Sequence, residues 1–133
     1  VVDYLQLMSP SGRTASEQEA LTQISKAIKA IAKDFKCPIF ALSQLNRDCE
    51  KREDKRPMLA DLRASGALEQ DADVILFLYR DDYYRGEKSQ KPGVTEVIIA
   101  KQRNGPTGSV DLAFLKETMR FENYASSELA GGV

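Results

Sequence analysis

The sequence predicts an α/β domain whose early strands are parallel with flanking helices and whose end is an antiparallel hairpin. Three observations carry that class. Apolar runs recur near residues 1–8, 37–43 and 73–79, each reading as a strand covered on both faces. A helical period fills the space between the first two runs. The last third holds two further runs joined by Asn104-Gly105-Pro106-Thr107-Gly108, a connection rich in turn residues. At 133 residues the chain suits one domain with a real core and is short for two.

Val1 to Met8 is the first predicted strand, interrupted by Asp3 and Gln6 and stopped by Ser9-Pro10-Ser11-Gly12. Leu21, Ile24, Ile28, Ile31 and Phe35 then alternate spacings of three and four, which sets them on one helix face and predicts a helix over 15–35. Thr14 or Ser16 is its cap, each with a glutamate three positions on, Glu17 or Glu19. Cys37 to Ser43 is the second buried strand, with Pro38 near its start where a missing N–H is tolerated.

Asn46 to Pro57 is charged and without period, a long loop of the kind that serves function in compact domains. Met58 to Gln70 reads as short helical material broken at Ser65-Gly66, followed by a strand to Tyr79. Arg80 to Gly93 is polar and aromatic with no period, and is expected to be exposed. Thr95 to Lys101 and Ser109 to Leu115 form the hairpin, Thr118 to Phe121 a last short strand, and 124–133 a disordered tail.

Composition removes several chemistries. There is no histidine, which excludes Ser-His-Asp and Cys-His catalysis and the usual zinc sites. Cys37 and Cys49 lack paired-ligand spacing; Cys37, beside a strand, is expected in the core, and a reducing cytoplasm is the expected location. No apolar run reaches the roughly 20 residues of a membrane span, and the opening Val1-Val2-Asp3-Tyr4 lacks signal-peptide features, reading as the interior of a domain. Net charge is −1, so any nucleic-acid contact must come from local groups or backbone amides.

Four constellations can carry chemistry. Asp3 closes an apolar run at the carboxyl edge of a predicted parallel sheet, where α/β folds place ligands. Gln44 follows the next strand; its amide can donate to a phosphate oxygen and accept from water. Lys101 and Arg103, two apart at a strand end, would share a face and repel each other unless an anion lies between them. Ser65-Gly66 opens a helix whose free N–H groups can hold an anion, with the charge of Arg63 beside it. Taken singly, each also has a plain reading: a strand-end cap, an exposed turn glutamine, a solvated basic turn and a helix break.

Their order is more specific. VVDYLQLM, ALSQLNR, DLRASGALEQDADVILFLYRD and IIAKQRNGPTG resemble consecutive motifs of the DnaB-family replicative DNA helicases, over nearly all of residues 1–123. The resemblance implies the C-terminal part of a RecA-like P-loop NTPase core, the motor of a homo-hexameric ring that uses ATP and Mg²⁺ to translocate on single-stranded DNA at the replication fork. It implies that Asp3 positions Mg²⁺ through water and that Gln44 links the γ-phosphate to DNA-contacting loops. Arg103 then resembles the arginine finger, with Lys101 its basic companion, both reaching ATP on the neighbouring subunit. Arg63, Ala64 and Gly66 resemble a channel-facing loop gripping the DNA backbone, although the family has glutamate where this chain has Ala64; primase and a helicase loader are the implied partners.

No Gly-x-x-x-x-Gly-Lys-Ser/Thr occurs in the chain, and Ser11-Gly12-Arg13-Thr14 lacks the upstream glycine and the lysine. In the family the P-loop and the catalytic glutamate lie upstream of the Asp3 strand, so this polypeptide alone is expected to be inactive as an ATPase. The alternatives are a non-catalytic module docking on intact helicase subunits through Lys101 and Arg103, or another RecA-fold ATPase. Residues 47–63 hold six basic against five acidic residues, a mixed loop to which no DNA contact is assigned apart from Arg63.

Overall fold

The computed structural model describes residues 1–10, 12–62 and 66–124. The chain divides into two compact units, Val1–Ile75 and Leu76–Val133.

The first unit is organised by α1, Glu17–Asp34. Ser16 caps it in extended backbone, its Oγ accepting the Glu19 N–H at 3.1 Å, while the Glu19 carboxylate accepts the Ala15 N–H at 2.8 Å. Of the two candidate caps the structure uses Ser16. Acidic Glu17 and Glu19 in the first turn and Lys33 in the last oppose the helix dipole favourably. At the far end Lys36 takes φ 49° and Cys37 N–H donates to the Ala32 carbonyl, turning the chain out of the helix.

The core of this unit is Leu5, Leu21 and Ile24, with Val2, Ile28 and Leu68 against it. The predicted apolar stripe is therefore buried only over its first half: Ile31 and Phe35 are 46% and 76% exposed. A short helix α2, Gly66–Asp71, lies on α1, where Ser25 Oγ donates to Asp71 at 2.8 Å and Lys29 pairs with Asp73.

The two buried strands expected at 1–8 and 37–43 contract to one parallel bridge, Val2↔Ala41. Val2 N–H donates to Phe40 O at 2.8 Å, Leu42 N–H to Val2 O at 2.9 Å, and Leu5 N–H to Leu42 O at 2.9 Å. After the bridge the chain coils into a 3₁₀ turn, Leu5–Leu7. Phe40 and Leu42 are exposed, and so is Cys37, which the sequence placed in the core; Cys49 is the buried cysteine. Apolar side chains on both faces predicted a covered strand, but among the described residues only the α1 side supplies cover.

A four-stranded sheet in the order β1-β2-β3-β4 dominates the rest: β1 Val74–Tyr79, β2 Val94–Gln102, β3 Gly108–Leu115 and β4 Arg120–Asn123. β2 and β3 pair antiparallel from Val94↔Ala113 to Ile99↔Gly108, so the predicted hairpin is present; β4 adds antiparallel to β3 two residues later than the final strand expected at 118–121, which begins in a turn. β1 alternates rather than being covered on both faces: Ile75, Phe77 and Tyr79 are buried, whereas Val74, Leu76 and Leu78 are half or more exposed.

The aperiodic stretch after β1 is more ordered than its composition suggests. Asp81–Arg85 forms a helical turn, α3, and Gly86–Lys88 a 3₁₀ turn. Asp82 is buried within it, accepting from Arg80, from the Gly93 N–H that leads into β2, and from Lys116 beyond β3. The Arg80 guanidinium also lies 4.3 Å from the Phe114 ring centroid, a cation–π contact.

Candidate functional site

The Val2↔Ala41 bridge makes the two segments parallel neighbours, with Asp3 one residue and Gln44 three residues beyond the bridged pair in the same direction. Both residues are exposed. The peptide between Asp3 and Tyr4 is cis. Asp3 offers a single carboxylate, and among the described residues no group of three or more His, Cys, Asp or Glu is gathered as a metal cluster. That donor set suits Mg²⁺, which keeps most of its waters and is held through one or two carboxylates together with phosphate oxygens.

Beyond Gln44 the chain is tied to the loop that follows. Leu45↔Leu62 is an antiparallel bridge, and Asn46 N–H donates to the Asp61 carbonyl at 2.9 Å. The loop, expected to be long and charged, is closed by a bidentate ion pair: Arg52 Nη1 and Nη2 lie 2.8 and 2.7 Å from the two Asp61 carboxylate oxygens. Arg52 Nη2 also donates to the Arg56 carbonyl at 2.9 Å, and Met58 N–H donates to Asp61 Oδ2. Burial pushes the Asp61 carboxyl up, yet the Arg52 and Met58 hydrogen bonds prevail and hold it below its usual range. Burial, reinforced by the negative Asp61, pushes the nearby Cys49 thiol up.

Gly66 is the first described residue of α2. Arg63 and Ala64, the other members of the predicted DNA-gripping segment, lie outside the described residues. The described chain on either side is anchored, by the Leu45↔Leu62 bridge before it and by α2 against α1 after it.

Lys101 lies near the end of β2, half-buried, and Arg103 is exposed in the turn that follows. Both stand beyond the last β2–β3 register pair, Ile99↔Gly108. β2 ends at Gln102, so the alternation of a strand does not extend to Arg103, and the shared face inferred from a spacing of two is not fixed by strand geometry.

Two groups escaped the sequence reading. Gln6 registered only as an interruption of an apolar run, and Arg52 and Asp61 were submerged in a run of mixed charge. A polar residue in a run otherwise fit for burial was the available signal for Gln6; nothing local distinguishes the Arg52–Asp61 pair from its charged neighbours.

Residues 1–123 match the family model of the DnaB-like helicase C-terminal domain. The replicative DNA helicase DnaB of Geobacillus stearothermophilus and the replicative DNA helicase DnaC of Bacillus subtilis are each 53% identical over 124 residues, 92% of this chain and 27% of the relative. The chain thus spans about a quarter of the length of these curated relatives. Among solved structures, an isolated ATPase domain superposes with TM-score 0.88 at 53% identity, covering 92% of this chain and 43% of that one. A DnaB-like replicative helicase, described with its interactions with primase, gives the same score and identity over 92% and 30%. The RecA-like ATPase fold expected from the motifs is thereby shared with solved relatives. Among the described residues no helix is long and apolar enough to cross a membrane.

Proposed function

Since the chain belongs to the family of DnaB-like helicase C-terminal domains, we propose that it is the C-terminal portion, residues 1–123, of the motor of an ATP-dependent replicative DNA helicase. In this reading six subunits form a ring around single-stranded DNA in the cytoplasm, with primase and a helicase loader as further partners. The observation that supports it is the Val2↔Ala41 bridge, which makes the segments bearing Asp3 and Gln44 parallel neighbours.

Bound Mg²⁺-ATP supplies the scissile γ-phosphate and the cation that neutralises it. Asp3 would hold the cation through its water shell, its carboxylate serving as acceptor. Gln44 donates its amide N–H to a γ-phosphate oxygen, so its place depends on whether that phosphate is present. Lys101 and Arg103 approach the nucleotide of the adjoining subunit, where the Arg103 guanidinium offsets charge that develops on the transferring phosphoryl group. Arg63, Ala64 and Gly66 hold the strand's phosphates, with backbone N–H groups at the start of α2 able to act whatever side chain stands at position 64. Few contacts per subunit suffice when six subunits share one strand, which reconciles DNA binding with a net charge of −1.

The test uses residues 1–123 in place of the matching segment of the Geobacillus DnaB. Arg103→Ala there lowers kcat for DNA-stimulated ATP hydrolysis by about a thousandfold while nucleotide binding persists. Undiminished turnover overturns the reading. The chain by itself, with no glycine-rich lysine loop, releases no phosphate from Mg²⁺-ATP.

A further inference from the structure

Gln6 is the middle residue of the 3₁₀ turn that follows Asp3. Its carboxamide makes three long-range hydrogen bonds, all to one short segment. Nε2 donates to Ser43 Oγ at 3.2 Å and to the Gln44 carbonyl at 3.2 Å; Oε1 accepts the Gln44 N–H at 3.3 Å. Both backbone polar groups of Gln44 are thus engaged by one side chain.

The backbone ladder explains why a side chain is needed. The last backbone hydrogen bond between the two segments is Leu5 N–H to Leu42 O. Past that point the first segment coils away, so it can offer Gln44 no strand partner. The Gln6 amide carries the same donor and acceptor pair as a peptide group and takes the place of the missing strand. We propose that Gln6 is the positioning residue of Gln44, holding its backbone against the turn that follows Asp3 so that acid and amide keep a fixed separation. The inference rests on the reading of Gln44 as the γ-phosphate contact.

The chemistry is specific to glutamine. Glutamate keeps the reach and the acceptor but sets a carboxylate against the Gln44 carbonyl. Asparagine is one methylene short. Methionine keeps the stem and forfeits all three bonds.

Two measurements test it. In the 133-residue chain, Gln6→Met is expected to speed amide hydrogen exchange at Gln44 by about tenfold, with exchange in α1 unchanged. In the Geobacillus exchange protein, Gln6→Met and Gln6→Glu are expected to lower kcat by about tenfold or more with KM for ATP within about twofold, because misplacing a contact removes rate rather than binding. The deciding comparison is a double-mutant cycle. If Gln6 works through Gln44, Gln6→Met adds nothing to the loss already caused by Gln44→Ala. Additive losses, or a Gln6→Met protein with full kcat, overturn the proposal. Full kcat in Gln44→Ala overturns the functional reading of Gln44 instead; unchanged exchange at Gln44 then rejects the positioning role separately.

Discussion

The edge around Asp3 and Gln44 and the hairpin that leads to Lys101 and Arg103 are written in similar apolar runs, yet they are held differently. β2 and β3 share six register pairs and are joined by a short turn, so each pair closes soon after its neighbour. The Asp3 edge has one parallel bridge, its two sides separated by the whole of α1, and it recruits side chains where backbone bonds stop: Gln6 onto Gln44, and Arg52 onto Asp61. Antiparallel pairing between near neighbours supports itself. Parallel pairing between distant segments depends on what packs behind it.

That contrast can be broken most severely at the core. Leu21 is 2% exposed and stands behind the bridge with Leu5 and Ile24. Leu21→Ala is expected to cost about 3 kcal/mol in denaturant unfolding. Hydrogen exchange is expected to rise at Leu5 and Leu42 while the β2 and β3 amides stay protected. Equal loss in both regions would show that the edge and the hairpin unfold as one.

A smaller effect is expected at Asp82, which ties the start of β2 to the residue after β3. Burial pushes its carboxyl up, but the Gly93 N–H, Lys116 and Arg80 outweigh this and hold it below the usual range. A carboxylate whose folded pKa is depressed stabilises the fold above its unfolded pKa, about 3.9, and that contribution fades as pH falls through the folded value. Asp82→Asn is therefore expected to cost about 2 kcal/mol at neutral pH. The gap from wild type should narrow steadily below about pH 4 in pH-dependent melts. A gap independent of pH would remove the charge from the explanation.

The smallest change has the opposite sign. Thr95 in β2 is 1% exposed and its Oγ1 has no hydrogen-bond partner. Thr95→Val keeps the shape and removes the unsatisfied hydroxyl, so the hairpin is expected to gain up to about 1 kcal/mol. A lower melting temperature in the variant would mean that the hydroxyl has a partner in solution.

The same contrast explains what could be read from residues alone. α1 declared itself through its period and through Ser16 with Glu19, both local signals. The hairpin declared itself through Asn104-Gly105 and the runs on either side. The apolar runs at 1–8 and 37–43 marked segments that pair, but not how far they pair, because that depends on distant residues and on cover. Asp3 and Gln44 were singled out by their places at the ends of apolar stretches, and the bridge at Val2 makes their two segments parallel neighbours, which spacing alone cannot give. Gln6 and the Arg52–Asp61 pair stayed hidden since their meaning lies in partners nine to 38 residues away.

One consequence of the Arg52–Asp61 clasp concerns sulfur. Cys49 is buried close to it with a thiol that ionises reluctantly, whereas Cys37 stands in solvent. An alkylating reagent that consumes thiolates meets the second at once and the first only when the loop opens. The loop joined to Gln44 through Leu45 and Asn46 therefore carries an internal clock for its own opening, with the reference thiol twelve residues upstream of the buried one.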